Sequence, residues 1–444
     1  MKVQRVERYI ITKESEDYGL LDNLCFDSKN LYNYVTYILR QAFIGNHEAI
    51  PEFADLIKDG KFIDEYDLST RLAKMNQFDF RNLKTQCAQQ VIKLVYKNFK
   101  SFYKAIKAYK KCPSKFTGRP KLPKYKDKKK GRNILVYTNQ CAKIKNKMIY
   151  LSKLVHLEEK TNITKFQQIR IIHKGYYIVV EIVYEKFVDD IDGTDNRTNA
   201  MGIDLGINNL ATITSDNGMS LIINGRNLKS INQYYNKRLA KLKEKYSKFG
   251  RYSGTKSERL TLKRNNLIED YMHKTTKYIC QLAIMNNIKY CFIGLNKGWK
   301  QESNMGTINN QKFVQIPFSK FISMLEYKLA EHNIYLITLN ESHTSKCSFI
   351  DNEKICHHDE YAGKRIKRGL FKSASGKVIN ADINGSLNIL KRGLENSFEF
   401  NKRFFNPIRI KDIDKNLMSL KNANCLDNKL EVCVTPTSLT DKKF

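Results

Sequence analysis

The chain reads as an α+β multidomain protein, and three observations carry that reading. Its 444 residues exceed the usual single domain, so two or three units with their own cores are expected. The N-terminal part sets strand-like segments around a long helical stretch. The C-terminal half alternates hairpin strands with helices, which suits a sheet covered by helices.

Val3–Thr12 (VQRVERYIIT) alternates polar and apolar residues as a strand does. From about Ser15 to Lys111 the pattern turns helical. Leu31, Tyr34, Val35, Ile38 and Leu39 recur at three and four, as do Val91, Leu94, Val95, Phe99 and Phe102, and Pro51 predicts a break between helices. Residues 110–132, KKCPSKFTGRPKLPKYKDKKKGR, cannot hold a regular helix through Pro113, Pro120 and Pro123. Their charges suit a phosphate backbone or a solvated linker. Lying between structured regions of a strongly basic chain, Arg119, Lys121, Lys124 and Tyr125 are read as nucleic-acid contacts.

Strand-like segments resume with ILVYT, MIYLS, IRIIH and YYIVVEIVYE, which together with Val3–Thr12 predict a small barrel or sheet carrying the helices as an insertion. Residues 189–199 read as a polar linker. GIDLGINNLATIT then reads as strand, turn and strand, and SLIING continues the hairpin series. Ile231–Ser247 and Lys256–Asn286 are two long basic helices around a Gly-containing turn. KYCFIGL is a buried strand, Phe318–His332 an amphipathic helix, IYLITLN another strand and Ala381–Arg392 a last helix. Hairpin strands mixed with β-α-β units fit a ribonuclease-H-like sheet. Beyond about Lys402 the chain is polar without strong periodicity, and poor order is expected there.

Composition narrows the function. A hydrophobic fraction of 41% with 11% aromatics excludes a disordered or fibrous chain. There are 78 Lys and Arg against 45 Asp and Glu, a formal charge of +33. Such an excess resists compaction unless a polyanion screens it, and nucleic acid is the usual polyanion. No apolar run approaches the ~20 residues that span a bilayer, and Met1–Ile11 lacks a signal-peptide core. The ten cysteines stand singly without a CxxC pair, the usage of a reducing cytoplasm, where the protein is expected.

Two carboxylates stand out. Asp204 ends a short apolar strand before Leu205-Gly206, a sequence able to turn sharply at a sheet edge. Asp382 opens a helix in ADINGSLNIL, where the positive helix end favours the ionised form. Alone, each is an ordinary turn or cap aspartate. Together they are suited to sharing a divalent cation, and a third carboxylate would complete a two-metal site for phosphodiester cleavage.

At these residues the sequence resembles a family. GIDLGINNLATIT is similar to the first RuvC motif of TnpB proteins and their relatives, the type V CRISPR effectors, and NADINGSLNIL to the third. GRPKLPKYKDKKKGRNILVYTNQ, HKTTKYI and GKRIKRGLFKSASG also resemble family sequence, so the likeness runs from Val3 to about Leu394. It implies a RuvC nuclease domain, and a β-barrel wedge domain carrying a helical recognition insertion. The implied division is 1–14 and 131–190 for the wedge, 15–130 for the recognition lobe, 196–341 and 379–402 for the nuclease, 342–378 for a basic target-nucleic-acid-binding insertion, and 403–444 for a tail. It further implies a guide RNA and double-stranded target DNA as partners, no membrane, Mg²⁺ as a two-ion cofactor, and Asp382 as a catalytic carboxylate. Neither sequence nor resemblance sets the oligomeric state.

The sequence departs from that pattern twice. Most members carry a Glu at the end of the second-motif strand, where CFIGLNKGW has Gly294. Glu302 and Glu326 are candidates to replace it, but Glu341 fits better, because it follows the strand IYLITL and ligands gather at strand C-termini. The expected catalytic and metal-binding set is therefore Asp204, Glu341 and Asp382. Second, many relatives place a four-cysteine zinc finger before Asp382. Here Cys347, Cys356, His357 and His358 offer no CxxC, so structural zinc is not expected. The run Lys364, Arg365, Ile366, Lys367, Arg368 better suits holding a nucleic-acid strand. The rival readings are a nuclease-inactive guided repressor, which Gly294 would suit, and an RNA-independent resolvase of the same fold. Trp299 reads as a loop anchor or a base-stacking residue.

Overall fold

The computed structural model describes residues 2–58, 62–151, 156–187, 197–295, 311, 314–395 and 402–425. Most of the 189–199 linker, Trp299 and Glu302 lie outside these residues. The chain divides into two compact units, Lys2–Phe187 and Val188–Phe444.

The first unit opens with β1 (Lys2–Thr12) and α1 (Asp17–Ile44). Gly45, at φ 78°, ends α1 in the left-handed region while its N–H and that of Asn46 cap the last carbonyls. Pro51 does interrupt the helices, but it starts a 3₁₀ turn over Pro51–Leu56. A short hairpin, β2 (Ile57–Lys58) and β3 (Phe62–Ile63), precedes α2 (Glu65–Lys74), α3 (Phe78–Arg81) and α4 (Thr85–Lys111). Strands β4 (Leu135–Thr138), β5 (Lys143–Lys145), β6 (Met148–Tyr150), β7 (His156–Lys160), β8 (Gln168–His173) and β9 (Tyr177–Phe187) complete the unit.

Among the described residues these strands do not close one barrel. They form an antiparallel sheet in the order β1-β9-β8-β4 and a separate sheet β5-β6-β7. Asn146 and Lys147 both have positive φ, which makes the tight hairpin that pairs β5 with β6 locally. One apolar core joins Leu31, Val35 and Ile38 of α1, Val91 and Val95 of α4, and Ile169, Ile171, Val180 and Ile182 of the sheet. Each such fully buried aliphatic side chain contributes about 1.5–3 kcal/mol. The stretches read as wedge and recognition lobe thus share a core.

The basic segment after α4 is strapped to α1. Lys29 donates to the Lys128 carbonyl at 2.8 Å, Asn33 exchanges hydrogen bonds with Lys126, and Arg40 reaches the Pro123 carbonyl at 3.2 Å. Arg132 forks onto both oxygens of Asp22 at 2.6 and 2.7 Å.

The second unit is built on β10 (Asn199–Leu205), β11 (Asn209–Ser215) and β12 (Ser220–Asn224), followed by the helical hairpin α5 (Arg226–Ser247) and α6 (Thr255–Met285). Then come β13 (Ile288–Gly294), α7 (Phe318–Ala330) and β14 (Tyr335–Leu339). A small sheet, β15 (Lys364–Lys367), β16 (Leu370–Lys372) and β17 (Val378–Asn380), leads into α8 (Ala381–Leu394). The main sheet runs β14-β13-β10-β11-β12-β18, with β18 at Ile408–Ile410. The meander β10-β11-β12 is antiparallel, and β13 and β14 add in parallel beside β10. That is the ribonuclease-H-like arrangement expected from the sequence.

The expectation of a poorly ordered tail is corrected over residues 402–425. β18 adds to β12 in parallel, and α9 (Ile413–Cys425) follows it. Phe404, Ile410, Ile413 and Leu417 are buried, and Lys274 of α6 pairs with Asp414 at 2.9 Å. A three-residue strand is too short to show a period, so the segment gave no signal.

Candidate active site

The site begins with the seating of α8 on the sheet. Residues at i and i+2 of a strand face one way, so Gly202 and Asp204 of β10 share a face. On α8, Asp382, Gly385, Ser386 and Ile389 share a stripe by helical spacing. The two surfaces interlock. A Cβ on Gly202 would lie 2.5 Å from the Ser386 carbonyl, so only glycine lets the helix backbone come this close. The Ser386 hydroxyl reaches the Gly202 carbonyl at 2.8 Å and Thr214 at 2.9 Å. At the residue immediately before Ser386, a Cβ on Gly385 would stand 2.9 Å from Oδ2 of Asp204. The glycines hold Asp204 against the first turns of the helix that carries Asp382.

Strands β10, β13 and β14 run parallel, so their C-terminal ends lie on one edge. Gly294 pairs with Leu339, and Glu341 follows two residues later. A Cβ on Gly294 would lie 3.0 Å from both Cβ and Oε2 of Glu341, and 2.7 Å from Cδ1 of Ile389. Glu341 therefore fills, from the neighbouring strand, the space a side chain at 294 would take.

Electrostatics tie the three acids together. Burial, then the charges of Asp382 and Glu341, raise the Asp204 carboxyl well above the usual range, while Arg365 pulls it down. Burial also raises Glu341. Asp382 accepts from Asn209 Nδ2 at 2.6 Å, and Arg365 Nη2 stands 3.6 Å from its Oδ1. Asn380 caps the helix, accepting from the N–H of Asp382 at 2.9 Å. Among the described residues no three His, Cys, Asp or Glu side chains converge closely enough to hold one metal ion. Asp382 points toward Asn209 and Arg365. The donor set, all carboxylate oxygen with like charges raising a half-buried Asp204, still fits a hard divalent cation.

Lys364, Arg365, Ile366, Lys367 and Arg368 are all exposed on β15 and its turn. Lys364 sits directly opposite Lys372 across the β15–β16 pair, and facing like charges destabilise a sheet unless an anion screens them. In the other unit Arg119, Lys121, Lys124 and Tyr125 are exposed, with Arg40 over the Tyr125 ring at 5.0 Å. The sulfur and imidazole groups before β15 lie beside one another and beside nearby carbonyl and hydroxyl groups. Cys347 Sγ donates to the Cys356 carbonyl at 3.6 Å, His358 Nε2 lies 3.4 Å from Cys356 Sγ and 2.7 Å from the Lys354 carbonyl, and His343 meets Tyr361 at 3.0 Å. Glu326 lies in α7 and His273 in α6, away from the strand ends that carry the acids.

Sequence reasoning missed the residues that act through the acids. Asn209 orients Asp382. The buried amides Asn384 and Asn388 fasten the loop after Glu341 to α8, donating to the carbonyls of Cys347 and Thr344 at 2.8 Å. Arg392 adds bonds to Ser342 and Ile355 at 3.1 Å. A signal was present: Asn384, Asn388 and Arg392 recur every four residues on an apolar helix.

Comparison with known proteins matches residues 181–300 to the OrfB_IS605 family, described as probable transposase, and residues 318–389 to the Cas12f1-like TNB domain. The first stretch holds Asp204 and Gly294; the second holds Glu341, Arg365 and Asp382. A TnpB-like protein, ORF457, of Acidianus two-tailed virus is 25% identical over 43% of this chain. The CRISPR-associated endodeoxyribonuclease Cas12f2 of a Micrarchaeota archaeon is 24% identical over 50% of it. The chain spans 41% of the length of each of these relatives. Among solved structures, a Cas12f1–sgRNA–target DNA complex is similar at a TM-score of 0.49 with 15% identity, covering 84% of this chain and 82% of that one.

Proposed function

We propose that this chain, a relative of the TnpB family and of the type V effectors, is an RNA-guided DNA endonuclease of transposon origin. The observation that carries the proposal is Glu341 lying over Gly294, which supplies a third carboxylate where the usual strand lacks one. Asp204, Glu341 and Asp382 would hold Mg²⁺ ions, which when bound activate water and steady the leaving oxygen of a phosphodiester. Asn209 keeps Asp382 oriented through its 2.6 Å bond. Arg365, beside Lys364, Lys367 and Arg368, binds the phosphates of the strand to be cut and screens the carboxylates between turnovers. With one such site, displaced and target strands are cut in turn.

The Lys2–Phe187 unit, through its β-sheet, its helices and the strap holding Arg119, Lys121, Lys124 and Tyr125, binds guide RNA and the guide–target duplex. RNA pairing supplies the sequence specificity, and the protein reads backbone shape and a short adjacent DNA motif. The test is to sequence RNA that copurifies with the protein, then to incubate the complex with a plasmid bearing the matched segment, in Mg²⁺ and in EDTA. Cleavage of the matched plasmid in Mg²⁺ supports the proposal. Gly294, in place of the glutamate most relatives carry, favours a second reading, a guided repressor without nuclease activity. Tight guided binding without cutting in the same assay would select it.

A further inference from the structure

The α5–α6 hairpin has features that the nuclease site does not use. From Arg226 to Arg264 it carries thirteen Lys and Arg against two Glu. At its tip, Phe249 is 78% and Tyr252 94% exposed. The turn that presents them is firmly built. The Arg251 N–H bonds the Tyr246 carbonyl at 3.0 Å, and Gly250 takes φ +61° to close the helix end. The Tyr246 ring packs on Gly254, and its hydroxyl receives the Ser257 N–H at 3.3 Å. One aromatic thus fastens the turn while two others stand outward beside Lys248 and Arg251.

We propose that this tip is a stacking platform for unpaired nucleotides of the nucleic acid bound by the chain. Such a platform presupposes the nucleic-acid binding proposed above. Large aromatic faces left in water favour burial, and flanking cations select a polyanionic partner over an apolar one. Every base has a π-face, so two aromatics with interleaved Lys and Arg hold a single strand with little sequence preference. A paired strand hides its bases in the stack and offers the tip only phosphates.

The test uses the full chain, freed of copurified nucleic acid by high salt, in EDTA. Fluorescence anisotropy follows binding of labelled 20-mers of uridine, of thymidine, and of a duplex of the same length. Phe249→Ala/Tyr252→Ala should weaken single-strand binding about 10-fold or more, leaving duplex binding and melting temperature unchanged. Loss confined to the uridine probe assigns the platform to RNA, and loss confined to thymidine assigns it to a DNA strand. Lys248→Ala/Arg251→Ala should instead lower the single-strand salt slope by about 1.4, at ~0.7 per phosphate contact. Unchanged single-strand binding by the aromatic variant, or equal loss on the duplex, overturns the proposal. So does a self-association seen by sedimentation in the unaltered chain and lost in the variant. If the unaltered chain binds neither probe, the wider nucleic-acid reading fails with it.

Discussion

Glu341→Gln keeps the shape of the side chain over Gly294 and removes its charge. If Glu341 is the third acid, the substitution withdraws one anionic ligand from a cation site whose charge stabilisation is worth several kcal/mol. A loss of about 4 kcal/mol at ~1.4 kcal/mol per tenfold lowers Mg²⁺-dependent cleavage about 10³-fold. Stability moves the other way. Burial raises the Glu341 carboxyl, so the folded protein pays for holding it ionised, and the neutral amide relieves that cost. Melting without divalent ions should therefore show a midpoint no lower than wild type. The geometry also specifies a rescue. Gly294 has no left-handed φ, so a Glu is tolerated by its backbone, but its Cβ would meet Glu341 at 3.0 Å and Ile389 Cδ1 at 2.7 Å. Gly294→Glu with Glu341→Gly and Ile389→Val removes both obstacles and should recover about 10-fold or more of the loss. Single-turnover cleavage of a matched plasmid reads all three proteins. A Glu341→Gln enzyme that cuts at the wild-type rate refutes the assignment.

Gly385→Ala places a Cβ 2.9 Å from Oδ2 and 3.5 Å from Cγ of Asp204. Cleavage should fall about 10-fold or more, while helix propensity raises stability by up to ~1 kcal/mol, as read by plasmid assay and urea unfolding. Arg365→Ala removes the charge that pulls Asp204 down, so its carboxyl ionises at higher pH and the rising limb of the pH–rate profile moves alkaline. Asp22→Asn breaks the fork with Arg132, which holds Asp22 below the usual carboxylate range. A depressed folded pKa stabilises above the unfolded value and ceases to as pH falls through the folded one. The variant should lose about 1.5–3 kcal/mol at neutral pH and match wild type in strong acid, measured by urea titration.

Much of this was legible in the sequence because long elements carry strong periods. The helices at 17–44, 85–111 and 255–285, and the strands at 199–205 and 288–294, fall close to where spacing puts them. Asp204, Glu341 and Asp382 were legible as strand-end and helix-start acids, but what sets α8 against β10 was not. The seating of α8 depends on Gly202 and Gly385, whose role is the absence of side-chain bulk, and on the Ser386 hydroxyl that bonds the Gly202 carbonyl. Asn209 acts across the sheet on Asp382, a pairing between residues far apart in the chain. The split of the N-terminal strands into two sheets follows from positive φ at Asn146 and Lys147, where Lys gives no turn signal of its own.

The central claim is that pairing with a bound RNA chooses the DNA that this carboxylate site cuts. Reprogramming tests it most directly. The protein is assembled with its RNA after the pairing segment has been rewritten, and offered two plasmids that differ only in matching the old or the new segment. Mg²⁺-dependent cleavage should move wholly to the new plasmid. Cleavage that stays with the old plasmid, or that cuts both alike, contradicts it.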